Sequence, residues 1–487
     1  MPGVVITAGE TLQSAGISLR TGTAFIVAPA IYGPEVPTLV RSLNEDVQLY
    51  GPREGESIKL YDAVDRAFAI GAARAYIQRI GGSGTEAAKL EIGPTSHEKT
   101  LVVTAKYNGT YGNSLKIAVV ENEAKTKTKL VLYNPEGEVL EQSGEYAKAE
   151  ELLTWGATHT TYVTITGGSE YSTEKANKLA AKASTKLAGG VNPTVTSGTT
   201  IKAIEALNKS YGPGQLLVPG NTEEAVHVAM AEWSLTSKYN RVALADLKGA
   251  EEAGTTPSSL KSEKGTITAG LAGNILFFSS AGQAPGIAGG TTRTIPASVV
   301  AAGLFAKVSR TGNDNQAPAG VNWPLGPAIT GLVNTYTEAQ MTELEESGIN
   351  PLTEVNGQIC LYGDATALAR SKDPIYCQYS AARERMHLVA EAEEIGQRFL
   401  FSTLDGRHQR RALFQGELQA MVKRHWEAGA LYGETAAEAG EVKVGEPVNT
   451  LVSEQEGQLN AELIVRISPV ATTIAIKLTS SPITEAV

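Results

Sequence analysis

Six histidines, at positions 97, 159, 227, 387, 408 and 425, are the first side chains to question in this sequence. Imidazole supplies both metal ligands and general bases. None of the six stands in an HExxH or HxH spacing, the arrangements that bring two ring nitrogens to one ion. His425 falls on the apolar stripe of a helical segment, where a packed or interface histidine is expected. Asp246 lies at the end of the strand expected from the run RVALADL, one residue before its last, in a region of alternating strands and helices where active-site carboxylates are found. Its neighbours are Lys248 and a Gly/Ser/Thr-rich loop with neither base nor nucleophile, so capping or turn formation is the expected role. Cys360 and Cys377, the two cysteines, form no CxxC and exclude a disulfide framework and a cysteine-based zinc site. Gly82-Ser83-Gly84 lies in a glycine-rich joint, not on a strand-to-helix elbow, and no Walker A run or strand-linked GxGxxG occurs. The chemistry-bearing residues point to no catalytic constellation, no cofactor cradle and no metal site.

One charge pattern stands out. The chain is acidic, with a net charge of −10, yet Arg407, Arg410, Arg411, Lys423 and Arg424 cluster with only Glu417 as a nearby carboxylate. Three of these cations lie at or before a helix start, where the macrodipole disfavours positive charge by about 0.3–1 kcal/mol each. Lys423 and Arg424 fall off the apolar stripe. They face solvent, pairing with Glu391, Glu393 or Glu394 of the preceding helix, or they face an acidic partner. The overall acidity argues against broad nucleic-acid binding.

The elements that must position these residues fall into blocks. With 487 residues, 42% of them hydrophobic and 19% charged, roughly three globular domains are expected. No stretch approaches the roughly 18 apolar residues that cross a bilayer, and residues 1–20 carry no secretory pattern. Residues 1–20 are β-prone and coreless, and read as an extended arm. A strand is expected at 23–28, a helix at 59–71 and a strand at 75–80, closed by Gly81-Gly82-Ser83-Gly84. Residues 90–168 carry four Val/Thr/Ile-rich strands separated by turn chemistry such as Asn108-Gly109 and Asn134-Pro135-Glu136-Gly137, an all-β unit. From 170 to about 310, helices (174–188, 221–239, 296–308) alternate with strands (216–218, 241–247, 274–279), implying a mostly parallel sheet. Residues 309–327 read as a loop. Beyond it lie helices at 373–400 and 409–431, then strands at 461–467 and 473–479, the last alternating strictly.

Taken together, these segments resemble the contractile-tail sheath protein family. Residues 22–51 (GTAFIVAPAIYGPEVPTLVRSLNEDVQLYG) and 60–82 (LYDAVDRAFAIGAARAYIQRIGG) are similar to its N-terminal block, and residues 212–247 to its central α/β domain. Residues 346–401, with a Gly-Ile-Asn segment and a long Arg-bearing helix, are the most specific match. Residues 416–433 (GELQAMVKRHWEAGALYG) and 462–479 (ELIVRISPVATTIAIKLT) follow in the family's order. Residues 90–168 resemble the β-sandwich insertion of many phage sheaths. The chain departs from the family at Gln316-Ala317-Pro318-Ala319, where many members carry Trp-Lys-Ala-Pro-Ala, and at Phe401-Ser402-Thr403-Leu404, where Phe-Glu-Pro-Asn is usual.

The resemblance implies an α/β and α+β multidomain protein: an N-terminal β arm (1–20), an N-terminal α+β segment (21–84), an inserted sandwich-like β domain (90–168), a central α/β domain (170–370) and a C-terminal α+β domain (371–487). The N- and C-terminal segments together would form an α+β core with extended β arms. It further implies a structural protein and not an enzyme, without cofactor. Such a protein forms six-fold rings in a helical polymer around an inner tail tube, bound also to baseplate and tail terminator proteins. It assembles in the bacterial cytoplasm and becomes part of a virion or of a related bacteriocin or secretion machine, with no nucleic-acid contact and no membrane insertion. Val4, Val5, Ile6, Ile474, Ile476 and Leu478 would be the strand arms exchanged between subunits. Arg407, Arg410, Arg411, Lys423 and Arg424 would face the tube.

Overall fold

The computed structural model describes residues 21–207, 211–236, 239–472, 474 and 476. At its centre is a seven-stranded sheet. In spatial order its strands are Ile349–Asn350, Ile275–Phe278, Val242–Ala245, Gln215–Leu217, Ala24–Ala28, Ala75–Arg79 and Thr38–Val40. Every neighbouring pair is parallel except the last, where Thr38–Val40 runs against Ala75–Arg79.

The sequence of the central strands explains this placement. Ala24–Ala28, Val242–Ala245 and Ile275–Phe278 are apolar at every position and buried at every position, the pattern of a parallel sheet covered on both faces. Successive side chains alternate between two cores. Ala24, Ile26, Ala28, Leu244 and Phe278 pack with the helices Ile58–Ile70 and Ala297–Ser309. Phe25, Val27, Ala243 and Phe277 pack with Ser197–Ala206 and Glu224–Thr236. The first two helices touch closely at Gly303, where an added Cβ would stand 2.6 Å from the Ile70 Cβ.

This sheet corrects one expectation. Residues 21–84 do not pair with the C-terminal segment in a separate core; their three strands complete the central sheet. The physical reason lies in AFIVA itself. A strand apolar on both faces cannot form the exposed side of a small α+β unit, and it is buried only between Gln215–Leu217 and Ala75–Arg79.

The inserted unit has two sheets around one core. Lys89–Ile92, Leu101–Ala105 and Val163–Gly167 form the first, and Lys182–Lys186, Lys116–Glu121, Thr128–Tyr133 and Val139–Gln142 the second. Two expectations change here. The unit is not all-β, because the helix Ala149–His159 packs Ala149 and Leu152 into its core. It also does not end at Gly167-Gly168. Where a helix over 174–188 was expected, there is one turn at Tyr171–Glu174 and then the strand Lys182–Lys186, paired antiparallel with Lys116–Glu121. Ala and Lys favour helix only weakly, and burial of Leu179 and Leu187 in this core overrides them. Glu86 and Val191 close the neck as an antiparallel bridge.

The neck is bolted to the central sheet by Arg79, which is fully buried. Its Nε donates to Ala30 O at 3.0 Å, and its Nη1 to Gly33 O and Asn108 O, both at 2.9 Å. Gly109 must be glycine for this contact: its φ is 125°, and a Cβ would stand 2.1 Å from Ile31 O.

The C-terminal part begins with the hairpin Leu352–Val355 and Gln358–Leu361, joined by Asn356-Gly357 with φ of 51° and 76°. The long helix Tyr379–Phe399 and the basic helix Gln409–Glu427 follow, then a two-stranded sheet of Gly440–Lys443 and Glu462–Val465. Leu388, Ile395, Phe414, Leu418, Met421 and Val442 form its core. The expected arm at 1–20, and residues 473, 475 and 477–479 of the expected last strand, lie outside the described residues.

The neck at Glu86 and Val191 defines where the insertion can be cut. Excising residues 87–190 with a short Gly/Ser bridge should leave a folded chain that still unfolds in one cooperative transition, followed by circular dichroism. Excising 90–168 should not, because it strips Lys182–Lys186 of its partner strand and exposes Leu179 and Leu187.

Candidate functional site

The strand ends of the central sheet hold no reactive group among the described residues. Asp246 follows Val242–Ala245 and is buried, accepting hydrogen bonds from Ser298 N at 2.9 Å, Ser298 Oγ at 2.6 Å and Gly220 N at 2.9 Å. Burial pushes its carboxyl up to about 6, against the pull of those donors. It therefore fixes the start of Ala297–Ser309 and the loop at Gly220, the capping role its surroundings suggested. Asp364 does the same for the long helix, accepting from Ser380 N at 2.9 Å and Ser380 Oγ at 2.6 Å. A carboxylate at a helix start meets unpaired N–H groups and the positive dipole end.

The concentrated polar chemistry lies along the long helix. Arg383, Glu384, His387 and Glu391 are all buried. Arg383 donates from Nη2 to Asp314 Oδ1 at 2.6 Å, Ser309 Oγ at 3.0 Å and Phe305 O at 3.1 Å. Its Nη1 reaches Asp314 O at 3.2 Å, and the guanidinium stacks over the Phe305 ring at 4.7 Å. Burial opposes the charge on Asp314, but the Arg383 guanidinium and His387 outweigh it and hold the carboxyl well below the usual carboxylate range. His387 Nδ1 lies 3.0 Å from Asp314 Oδ2, close but off-line for a hydrogen bond.

One turn further, His425 of the basic helix sits between two carboxylates of the long helix. Its Nδ1 is 2.5 Å from Glu384 Oε1 and its Nε2 3.0 Å from Glu391 Oε2. Burial works against an imidazolium here, yet the two carboxylates raise its pKa to about 10. Burial likewise disfavours charge on Glu391, but hydrogen bonds from His425 and Arg424 take it down to about 2. Two guanidinium groups and one imidazolium thus face three carboxylates: Arg383, Arg424 and His425 against Asp314, Glu384 and Glu391. The same joint is pinned from the loop side. Asn313 Nδ2 donates to Ala428 O at 2.8 Å, and Asn315 Nδ2 to Ala430 O at 3.3 Å and Ser468 O at 2.7 Å, satisfying carbonyls at and beyond the end of the basic helix.

The basic cluster is more thoroughly compensated than its spacing suggested. Asp405 accepts the backbone N–H groups of Arg407, Gln409 and Arg410 at 3.0, 3.3 and 3.2 Å, countering the cations at this helix start. Arg411 pairs with Glu454 at 2.9 Å, Lys423 with Glu427 at 3.6 Å, and Arg424 with Glu391. Glu417 pairs instead with Arg398, at 2.6 Å. Arg407 and Arg410 are exposed and make no ion pair among the described residues. Leu413 lies beside them, more than half exposed, on a shallow surface with Ala412, Gly416 and Ala420.

Of the expected arm residues, Ile474 and Ile476 are 80% and 88% exposed and outside any strand; Val4, Val5, Ile6 and Leu478 lie outside the described residues. Residues 468–472 and Ile474 line a groove of about 870 Å³ together with Asn313, Asn315, Tyr362 and Asp364.

No family model matches the sequence, and no curated protein matches it significantly. Solved structures do. A sheath tail protein from Desulfitobacterium hafniense superimposes with a TM-score of 0.62 at 15% identity, over 91% of this chain and 93% of its own. A sheath tail protein from Listeria innocua also gives 0.62 at 15% identity, over 94% and 98%. The chain has a contractile-sheath fold. The sheath complex of an extracellular contractile injection system, PVC, in its contracted state shares that fold with a TM-score of 0.58 at 13% identity, over 99% of this chain and 98% of its own. These sheath-fold neighbours are structural proteins, not enzymes.

Within the sheath fold of this chain, the His425 joint has a measurable weight. Replacing His425 with Leu leaves Glu384 and Glu391 facing each other without their shared cation. Removing one partner from a buried ionic group costs about 3–5 kcal/mol. Urea unfolding followed by tryptophan fluorescence should register a loss of that order, and pairing the change with Glu384→Gln should recover part of it.

Proposed function

We propose that this chain is the structural subunit of a contractile sheath, polymerising as stacked six-fold rings around an inner tube and shortening to drive that tube through a cell envelope. The observation that carries the reading is similarity to sheath proteins over 91–99% of the chain. A match of that extent takes in the inserted unit and the C-terminal helices as well as the central sheet. The sheath tail proteins favour a contractile phage tail delivering a genome, with baseplate and tail terminator proteins as further partners and assembly in the bacterial cytoplasm. The injection-system sheath favours a second reading, a phage-derived injection machine with the same mechanics.

Two surfaces suit polymerisation. Among the described residues, the sheet of Gly440–Lys443 and Glu462–Val465 has only two strands, so each keeps an unpaired edge. Such edges accept added strands, and the exposed Ile474 and Ile476 leave from the same part of the molecule. Strands built on Val4, Val5 and Ile6 of one subunit, and on Ile474, Ile476 and Leu478 of another, would supply about 0.5–1.5 kcal/mol per backbone hydrogen bond. The second surface is the outward side of the basic helix, with Arg407, Arg410 and Lys423 exposed around Leu413. Against an acidic stripe on the tube, each exposed pair would contribute about 0–1 kcal/mol and weaken with salt. Contacts of that size guide assembly without preventing later release.

Electron microscopy of purified protein tests the whole reading: tubes or stacked rings are expected, and discrete monomers under all assembly conditions would overturn it. Deleting residues 2–18 or 471–480 should leave a folded monomer that builds no tubes; normal tubes from both deletions would exclude strand exchange. Reversing Arg407, Arg410 and Lys423 to Glu should abolish assembly on inner tubes while sparing tube-free polymer. Arg424 is left in place because it neutralises Glu391 within the subunit. Co-assembly surviving that reversal at physiological salt would remove this helix from the tube contact.

A further inference from the structure

We propose that Glu384, His387 and His425 form a binding site for one divalent transition-metal ion, zinc by preference, joining the long helix to the basic helix. One donor atom from each of the three lies within 4.8 Å of the other two, and all three side chains are buried. Glu384 and His387 are three residues apart and so share a face of the long helix, while His425 approaches from the other helix. The histidines are already oriented for ligation. His425 Nε2 is held by Glu391 at 3.0 Å, which turns Nδ1 toward Glu384. Asp314 Oδ2 stands 3.0 Å from His387 Nδ1, leaving Nε2 as the ligand nitrogen. A carboxylate hydrogen-bonded behind the imidazole, as Glu391 is behind His425, is the arrangement that fixes the tautomer and orientation of metal-binding histidines, and Asp314 lies near enough to His387 to take that part after a small ring rotation.

A second observation points the same way. The Glu384 side chain is fully buried, and its Oε2 has no hydrogen-bond partner among the described residues. A buried carboxylate oxygen without a partner is costly, and a metal ion at this place would satisfy it. The donor set chooses the ion: two imidazoles and one carboxylate match three-ligand zinc sites, whereas calcium and magnesium require mainly oxygen. Tetrahedral donors at about 2.0–2.1 Å from the ion stand roughly 3.3 Å apart, so no pair need close by more than about 1.5 Å. On binding, the ion replaces the proton shared by His425 Nδ1 and Glu384, and that proton passes to solvent.

Cobalt is the direct probe. The full chain, stripped with chelator and dialysed, is titrated with Co²⁺ at neutral pH and followed by visible absorption. The expected result is a tetrahedral d–d band that saturates at one equivalent, is displaced by one equivalent of Zn²⁺, and is accompanied by a rise in Tm. His387→Ala should weaken binding at least about tenfold. His97→Ala, which alters the exposed histidine beside Glu170 and Glu174, should leave it unchanged. Because truncating a buried histidine can disturb the fold, the variants are compared only with native circular dichroism, and the wild-type titration decides by itself. A folded wild-type chain without a one-equivalent band overturns the proposal, as does a band that survives His387→Ala in a folded variant.

Discussion

Arg383 has no exposed surface, and its guanidinium is held where the long helix crosses the loop at 314–316. A guanidinium taken out of water costs several kcal/mol unless acceptors surround it. Here they come from Asp314, Ser309 and Phe305, residues brought together by the end of Ala297–Ser309 and the turn after it. The seated position of the long helix therefore depends on that turn being in place. Once seated, it contributes Tyr379 and Ala382 to the central core and Leu388 and Ile395 to the C-terminal one. The loop that satisfies Arg383 also carries Asn313 and Asn315, which tie down the end of the basic helix and Ser468. One desolvated cation thus couples the C-terminal half to the central domain through a single loop.

Much of the fold was legible because period and turn chemistry are local. The strands at Ala24–Ala28, Val242–Ala245 and Ile275–Phe278, and the helices Ile58–Ile70, Ala297–Ser309, Tyr379–Phe399 and Gln409–Glu427, announce themselves by apolar runs and helical spacing. Their partners were not legible. AFIVA states that it is covered on both faces but not which strands flank it, and the neighbour at Gln215–Leu217 is some 190 residues away in the chain. The stretch 174–188 failed differently. Its Ala and Lys content favours helix by a few tenths of a kcal/mol per residue, less than burying Leu179 and Leu187 against the inserted core contributes.

The polar site divides along the same line. His425 is readable as a packed histidine from its position on an apolar stripe, and Glu391 on the preceding helix is among the partners the sequence offers Arg424, which it meets. Arg383, Glu384, His387 and Glu391 did carry a local signal: on one long helix, charged residues occur where its buried side is expected. That signal reads as a solvated stripe until Asp314, distant in sequence, turns it inward. The compensation of the basic cluster was missed because Asp405 acts on backbone N–H groups and Glu454 arrives from a later element.

The joint also limits how such a subunit could move. Separating the long helix from the basic helix would break the pairs of His425 with Glu384 and Glu391 and expose the apolar contacts of Leu388, Ile395, Phe414 and Leu418 to water. Bending within the subunit at this place is therefore opposed more strongly than rearrangement at an exposed surface, where an ion pair is worth at most about 1 kcal/mol. The compliant parts are the open edges of the two-stranded sheet and the exposed tail at Ile474 and Ile476. A polymer built from this chain would change shape by shifting whole subunits between two packings rather than by bending them. In such a polymer, a joint as stiff as that at Arg383 and His425 would let a small gain at each contact between subunits add along the lattice with little of it lost to deformation inside them.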